Sequence, residues 1–282
     1  MWPQYFLTGN NIPQETYEFS EIKKAFDDII QCQIDFYFPQ GGCQQRAQIM
    51  SLILQKKFAI EHCKIWLFAP AALYEGDTRT LFIEDKNKLS PNNTVEWSYH
   101  TAPAVLVKSG DAVETFIIDP SINKNEPLRL EEWFSQIGNS SISNYTYVRA
   151  ENYFFNCRYN ENNELTNIFD GTFFEFMNPV KDNLLMEKGL AVNDMAMQVF
   201  HTYIKPLMDV PAEENETRLA DLKEIFGNST ALDLLFSQNM SGYTEHTSHR
   251  YVITHYSTII QEAKTIFNQR LDFWTRFSNT LL

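Results

Sequence analysis

The chain has 282 residues, 44% hydrophobic and 14% aromatic, enough apolar material for a real core and too much for wholesale disorder. With 36 acidic against 23 basic residues the formal net charge is −13. That charge excludes nucleic acid and anionic membrane surfaces as expected partners, because phosphates would be repelled.

Four cysteines, at 32, 43, 63 and 157, form no CxxC pair, so reduced thiols are expected and neither a disulfide framework nor a metal site. The opening MWPQYFLTGNNIPQ has no basic segment followed by a long apolar run, and no stretch of about 18 apolar residues occurs. The expectation is a soluble protein without a Sec signal or membrane insertion, its location otherwise open.

Residues 17–37 read as a helix with Phe19, Ile22, Phe26, Ile29 and Ile30 on one side, weakly capped by Ser20 and Lys23. The stretch FPQGGCQQRAQIMSLIL, from Phe38 to Leu54, carries the first chemistry. A Pro39-Gln40-Gly41-Gly42 turn delivers Cys43 to the start of a helix running to about Phe58, with Ala47, Met50 and Leu54 on the same face. Two glycines allow a sharp bend and a close backbone approach. A thiol at a helix start meets unpaired N–H groups and the positive end of the helix dipole, which favour thiolate. The plainer reading makes Cys43 a small buried hydrophobe.

KIWLFAP (64–70) and LFIED (81–85) read as short strands, and Ser90 to Asn93 as a turn. TVEWSYHTAPAVLVK (94–108) and AVETFIIDP (112–120) read as a hairpin closed by Ser109-Gly110-Asp111. Alternation places Ser98, His100 and Ala102 on one face of the first strand and Trp97, Tyr99 and Thr101 on the other. Counting about Gly110 sets His100 near residue 120, so a slip of one residue brings it beside Asp119. A histidine steadied by a carboxylate, together with a cysteine at a helix start, supplies base, orienter and nucleophile. Each also has a bland role: a satisfied strand histidine, and an aspartate ending a strand in an Asx turn.

Beyond the hairpin, 128–137 suggests a helix, and 145–159 and 172–177 further strands. After Asn178-Pro179 long helical patterns take over: 181–208 with a break near Pro206, 213–238 interrupted at Gly227, and 248–280. A boundary is therefore expected near 180, with a catalytic domain over 1–180 and a helical domain over 181–282. Leu184, Leu185, Leu190, Met195, Val199 and Phe200 form one apolar stripe, and Phe273, Trp274 and Phe277 another. The bland reading is a bundle packed on itself and on the core. The functional one is a docking platform for a protein partner, dispensable for small substrates. His246, His249 and His255 lack an HExxH pattern and read as a polar helix entry, and His62-Cys63 has no visible partners.

The segments GGCQQRAQIM (41–50), WSYHTAPAVLV (97–107) and FIIDPSI (116–122) resemble the bacterial protein-glutaminase family, within the papain/transglutaminase-like superfamily. The resemblance covers roughly 38–125 and leaves the last hundred residues unmatched. It implies an α+β fold, a papain/transglutaminase-like cysteine-hydrolase core with an antiparallel sheet and an N-terminal catalytic helix, followed by an α-helical C-terminal region. It matches Cys43 to the nucleophile, His100 to the base, Asp119 to the orienter, and Arg46-Ala47 to the family's Arg-Ala pair.

The implied reaction is deamidation of a glutamine side chain in a protein or peptide, without cofactor, through a thioester with release of ammonia. The Cys43 N–H, at Gly42, is the obvious oxyanion donor and the Gln40 amide a second candidate. Trp97 and Tyr99 are candidate walls of the acyl channel, and Arg46 reads as a structural cation. Transglutamination, proteolysis or a silent papain-like binding module remain the alternatives, and delivery as a bacterial effector would suit a reduced thiol.

Overall fold

Helix α1 (Phe19–Gln31) starts where the Glu18 N–H donates to Glu21 Oε2 at 3.0 Å, so glutamates cap it rather than Ser20 and Lys23. Its buried face is Ile22, Phe26 and Ile29, while Ile30 reaches solvent. Helix α2 (Cys43–Phe58) begins and ends on left-handed residues, Gly42 at φ 83° and Ala59 at φ 54°. The computed structural model describes residues 15–38, 41–153, 155–159, 161, 165–170, 185–210, 213–228, 231–232 and 247–281.

The strands are β1 (Thr16–Tyr17), β2 (Cys63–Phe68), β3 (Leu81–Glu84), β4 (Thr94–Trp97), β5 (Tyr99–Ser109), β6 (Ala112–Ile117), β7 (Leu128–Arg129), β8 (Asn144–Arg149), β9 (Phe155–Tyr159) and β10 (Leu165–Asp170). The main sheet has six strands in the order β7-β6-β5-β2-β8, antiparallel throughout, with β1 added in parallel to β5. Two helices interrupt the strands, α3 (Pro70–Leu73) and α4 (Leu130–Ser135). The protein is thus α+β with a largely antiparallel sheet.

One expected strand divides. The 94–108 run breaks at Ser98, whose carbonyl accepts the Ala69 N–H at 2.9 Å. β4 leaves to pair with β3 in a separate two-stranded sheet, and β5 alone joins the main one. Strict alternation across 97–100 therefore fails, because two strands of different sheets meet there. The 145–159 run likewise divides into β8 and β9. The expected strand at 172–177 and the boundary near 180 lie outside the described residues.

The later helices are α5 (Leu185–Val199), a π-helical turn (Phe200–Ile204), α6 (Lys205–Asp209), α7 (Glu216–Phe226), α8 (Thr247–His255) and α9 (Ser257–Leu281). The π turn falls just before Pro206, which has no N–H for a regular helical bond. α5 packs against α9 and against α2. From Leu190 to Met197 every residue of α5 is buried, the signature of a helix inside a core rather than on a surface. Leu190, Met195 and Val199 share one hydrophobic cluster with Ile49 and Ile53 of α2, Phe26 of α1 and Trp274 of α9. A second cluster, with Ile65, Ala102, Ala104, Ile117 and Trp133, joins the sheet to α4 and the β3–β4 hairpin.

Candidate active site

Cys43 is the first residue of α2 and is 3% exposed. The first helical bond runs from the Arg46 N–H to the Gly42 carbonyl at 2.9 Å, and no side chain caps the helix. The N–H groups of Cys43, Gln44 and Gln45 therefore have no acceptor within the helix. Cys43 Sγ donates to Gln44 Oε1 at 3.4 Å.

His100 stands on β5 and Asp119 two residues past the end of β6. The ladder pairs Ala104 with Ile117, and the Ile118 N–H still reaches the Pro103 carbonyl at 2.9 Å. Extended, that register sets His100 against residue 121, so Asp119 meets it diagonally, on the same face, without a bulge. His100 Nε2 donates to Asp119 Oδ2 at 2.7 Å, with both side chains buried. The same oxygen accepts the Trp133 indole N–H at 2.9 Å, and Oδ1 accepts the Ser121 N–H at 3.2 Å and its hydroxyl. Asp119 is thus both the Asx-turn residue and the partner of the imidazole.

Burial opposes charge on His100, but the Asp119 charge, the Asp119 hydrogen bond and the nearby Cys43 outweigh it and raise its pKa to about 9. Burial would raise Asp119, but the His100 charge and the bonds from His100, Ser121 and Trp133 hold it below the ordinary value. His100 Nδ1 is buried and makes no hydrogen bond of regular geometry among the described residues. Cys43 lies near enough to act on the imidazole through both hydrogen bonding and charge, although no bond to Nδ1 of regular geometry is formed.

The imidazole lies between two indoles, Trp97 at 4.6 Å and Trp133 at 5.8 Å between centroids, both stacked. The break at Ser98 brings Trp97 onto the imidazole, where alternation had placed it on the opposite face. A cavity of about 280 Å³ opens beside the sulfur, lined by Gly42, Cys43, Gln45, Trp97 and Tyr99 and, from α5, by Asn193 among others. Burial raises the Tyr99 pKa and Cys43 adds to the rise, while a Gln44 hydrogen bond pulls it back.

Arg46, 3% exposed, lies within electrostatic reach of Cys43, Asp119 and Asp35; burial lowers its pKa and those groups raise it. Gln40, the candidate second donor, lies outside the described residues. His62 is a core histidine: Nδ1 bonds the Ile60 carbonyl at 2.9 Å, and burial lowers its pKa to about 4. His246 also lies outside the described residues, and His255 stacks on Tyr251. Among the described residues no cluster of three or more His, Cys, Asp or Glu could hold a metal ion.

The sequence brought out Cys43, His100 and Asp119, and the fold brings them together. It did not bring out Trp133, Ser121 or Asn193. Ser121 was within reach as the hydroxyl of the Asp119-Pro120-Ser121 turn. Trp133 and Asn193 come from helices with no local mark of a site.

Residues 16–137 match the model of a family described as glutaminase. The matched stretch is less than half of the chain and is similar to that family. Sequence comparison with curated proteins gives no match. Among solved structures, the chain is similar to the NMR structure of protein-glutaminase from Chryseobacterium proteolyticum, at 19% identity over 67% of this chain and 89% of that one, TM-score 0.43. A crystal structure of pro-protein-glutaminase gives 19% identity over 68% and 65%, TM-score 0.45. No described helix is long and apolar enough to cross a membrane.

Proposed function

We propose that this protein deamidates glutamine side chains in a protein or peptide, with Cys43 as nucleophile, His100 as acid and base, and Asp119 as the group that orients it. The observation that carries the reading is a buried imidazole whose Nε2 is fastened to Asp119 while Nδ1 makes no hydrogen bond of regular geometry among the described residues, near a sulfur at an uncapped helix start.

The Cys43 thiolate attacks the carboxamide carbon, and the imidazolium is its counter-ion. The carbonyl oxygen becomes an oxyanion, and the Cys43 N–H donates a hydrogen bond to it. As the tetrahedral species collapses, the C–N bond breaks and His100 gives its proton to the departing nitrogen, releasing ammonia and leaving a thioester. Neutral His100 then takes a proton from water, the hydroxide adds to the thioester carbonyl, and the C–S bond breaks to give glutamate. Asp119 keeps its negative charge throughout and holds the imidazole in one tautomer. Trp97 and Trp133 cover the faces of the ring and limit its exposure to water.

The test is ammonia release from a glutamine peptide and a glutamine-rich protein, with mass analysis of the product. Conversion of glutamine to glutamate with the chain intact, lost in Cys43→Ala, supports the reading. Chain cleavage, amine incorporation in place of hydrolysis, or activity that survives Cys43→Ala would each refute it.

A further inference from the structure

The wall of the cavity facing the sulfur comes from α5, a part of the chain that the proposed chemistry leaves unused. Gly189, Val192 and Asn193 line it. Asn193 is 4% exposed, yet its Nδ2 has no hydrogen-bond partner among the described residues. Leaving a buried amide donor unpaired is costly, and an apolar residue would avoid that cost at this buried position of α5. The donor stands against the backbone that delivers the nucleophile. A Cβ on Gly42 would lie 2.0 Å from Asn193 Nδ2, so only a glycine lets the two approach. The first-turn residues of α2, Cys43, Gln44 and Gln45, whose N–H groups have no helical acceptors, line the same cavity as Asn193. Donors from two helices thus converge where a carbonyl oxygen bonded to a carbon under attack by Cys43 would lie.

We infer that Asn193 Nδ2 is the second donor to the carboxamide oxygen of the substrate glutamine, completing the oxyanion hole begun by the Cys43 N–H. The inference rests on the glutaminase reading and adds a residue from beyond the 16–137 match. It also makes α5 part of the catalytic apparatus, so the C-terminal helices are not dispensable for small substrates. A neutral amide suits the task, since it stabilises a developing negative charge without attracting free anions. The competing account is mechanical. Gln45 Oε1, on the same cavity, is also unpartnered among the described residues, and a side-chain rotation could pair it with Asn193 Nδ2 to fasten α5 to α2.

The experiment compares wild type, Asn193→Leu and Asn193→Asp in three measurements: ammonia release from a small glutamine peptide, alkylation of Cys43 by iodoacetamide, and thermal unfolding. Alkylation by that reagent needs no oxyanion hole. Loss of the donor is expected to lower kcat/KM by about 10²–10³-fold, mostly through kcat, with alkylation within about threefold of wild type. If Asn193→Leu fails to fold, Asn193→Asp, of nearly equal volume, carries the test. Ammonia release within about threefold of wild type would overturn the inference. So would parallel losses of ammonia release, alkylation and melting temperature, which would mark Asn193 as a fastener. Wild-type protein that alkylates rapidly at Cys43 but releases no ammonia would instead refute the glutaminase reading itself.

Discussion

Two aspartates in this molecule have nearly the same surroundings and different consequences. Asp119 Oδ2 accepts from His100 at 2.7 Å and from the Trp133 indole at 2.9 Å. Asp194 Oδ2, between α5 and α9, accepts from Arg270 Nε at 2.7 Å and from the Trp274 indole at 2.7 Å. Each is a carboxylate fastened to a cation and an indole, a device that joins two elements. Arg270 spends its remaining groups on the Gln33 carbonyl and on the Phe273 ring, and cannot lose its proton. His100 can, and it keeps a second nitrogen beside a sulfur and a cavity. A buried Asp–indole–cation cluster is thus not in itself a site. In the proposed site the cation is one that titrates, and it lies near the Cys43 sulfur.

The widest separation of the two centres is expected from removing each charge in turn. Asp119→Asn should lower the rate of ammonia release by about 10²–10⁴-fold, because the imidazole loses its orientation and its counter-charge. Asp194→Asn should leave that rate within a few-fold but lower the unfolding free energy in denaturant by about 1–3 kcal/mol. Equal losses of activity in both variants would break the comparison.

Their pH dependences should also diverge. His100 has its folded pKa raised from 6.5 to about 9, so its contribution to stability is fully present below 6.5 and is lost as pH rises through about 9. Asp194 is raised by burial from 3.8 to about 6 despite Arg270. The folded state then holds that proton more tightly than the unfolded chain, so stability falls as pH rises from about 3.8 to 6 and is flat above. Denaturant titrations across pH should show the lower window vanish in Asp194→Asn and the upper one in His100→Ala.

A loss of unfolding free energy of similar size, about 1–3 kcal/mol in denaturant, should follow Gly42→Ala, since φ is 83° and the new methyl would meet Asn193. The smallest belongs to Lys205→Ala. Its pair with Asp209 is 51% and 60% exposed and should be worth less than about 0.5 kcal/mol. That exposed pair calibrates what burial adds at Asp194.

What the sequence made legible was local. Cys43 at a helix start follows from two glycines and a helical period, and His100 near Asp119 from hairpin counting. The break at Ser98 was hidden because TVEWSYHTAPAVLVK alternates smoothly across it, and the break is set by which strands are available on each side. It decides where Trp97 goes, onto the imidazole. α5 was hidden for a different reason. From Leu190 to Met197 the helix is buried on all sides, so the apolar stripe read from the sequence does not mark the burial of Asn193 and Asp194. Their places depend on α2 and α9, far away along the chain, and no local pattern records such packing.

The central claim is that one sulfur is activated by one imidazole. The rate of iodoacetamide labelling at each cysteine, at mildly acidic pH, in wild type and in His100→Ala, tests it most directly. The account predicts preferential modification of Cys43 in wild type, and its loss in His100→Ala while labelling of the other cysteines is unchanged. Slow, uniform labelling of all the cysteines, the same in both proteins, would contradict it.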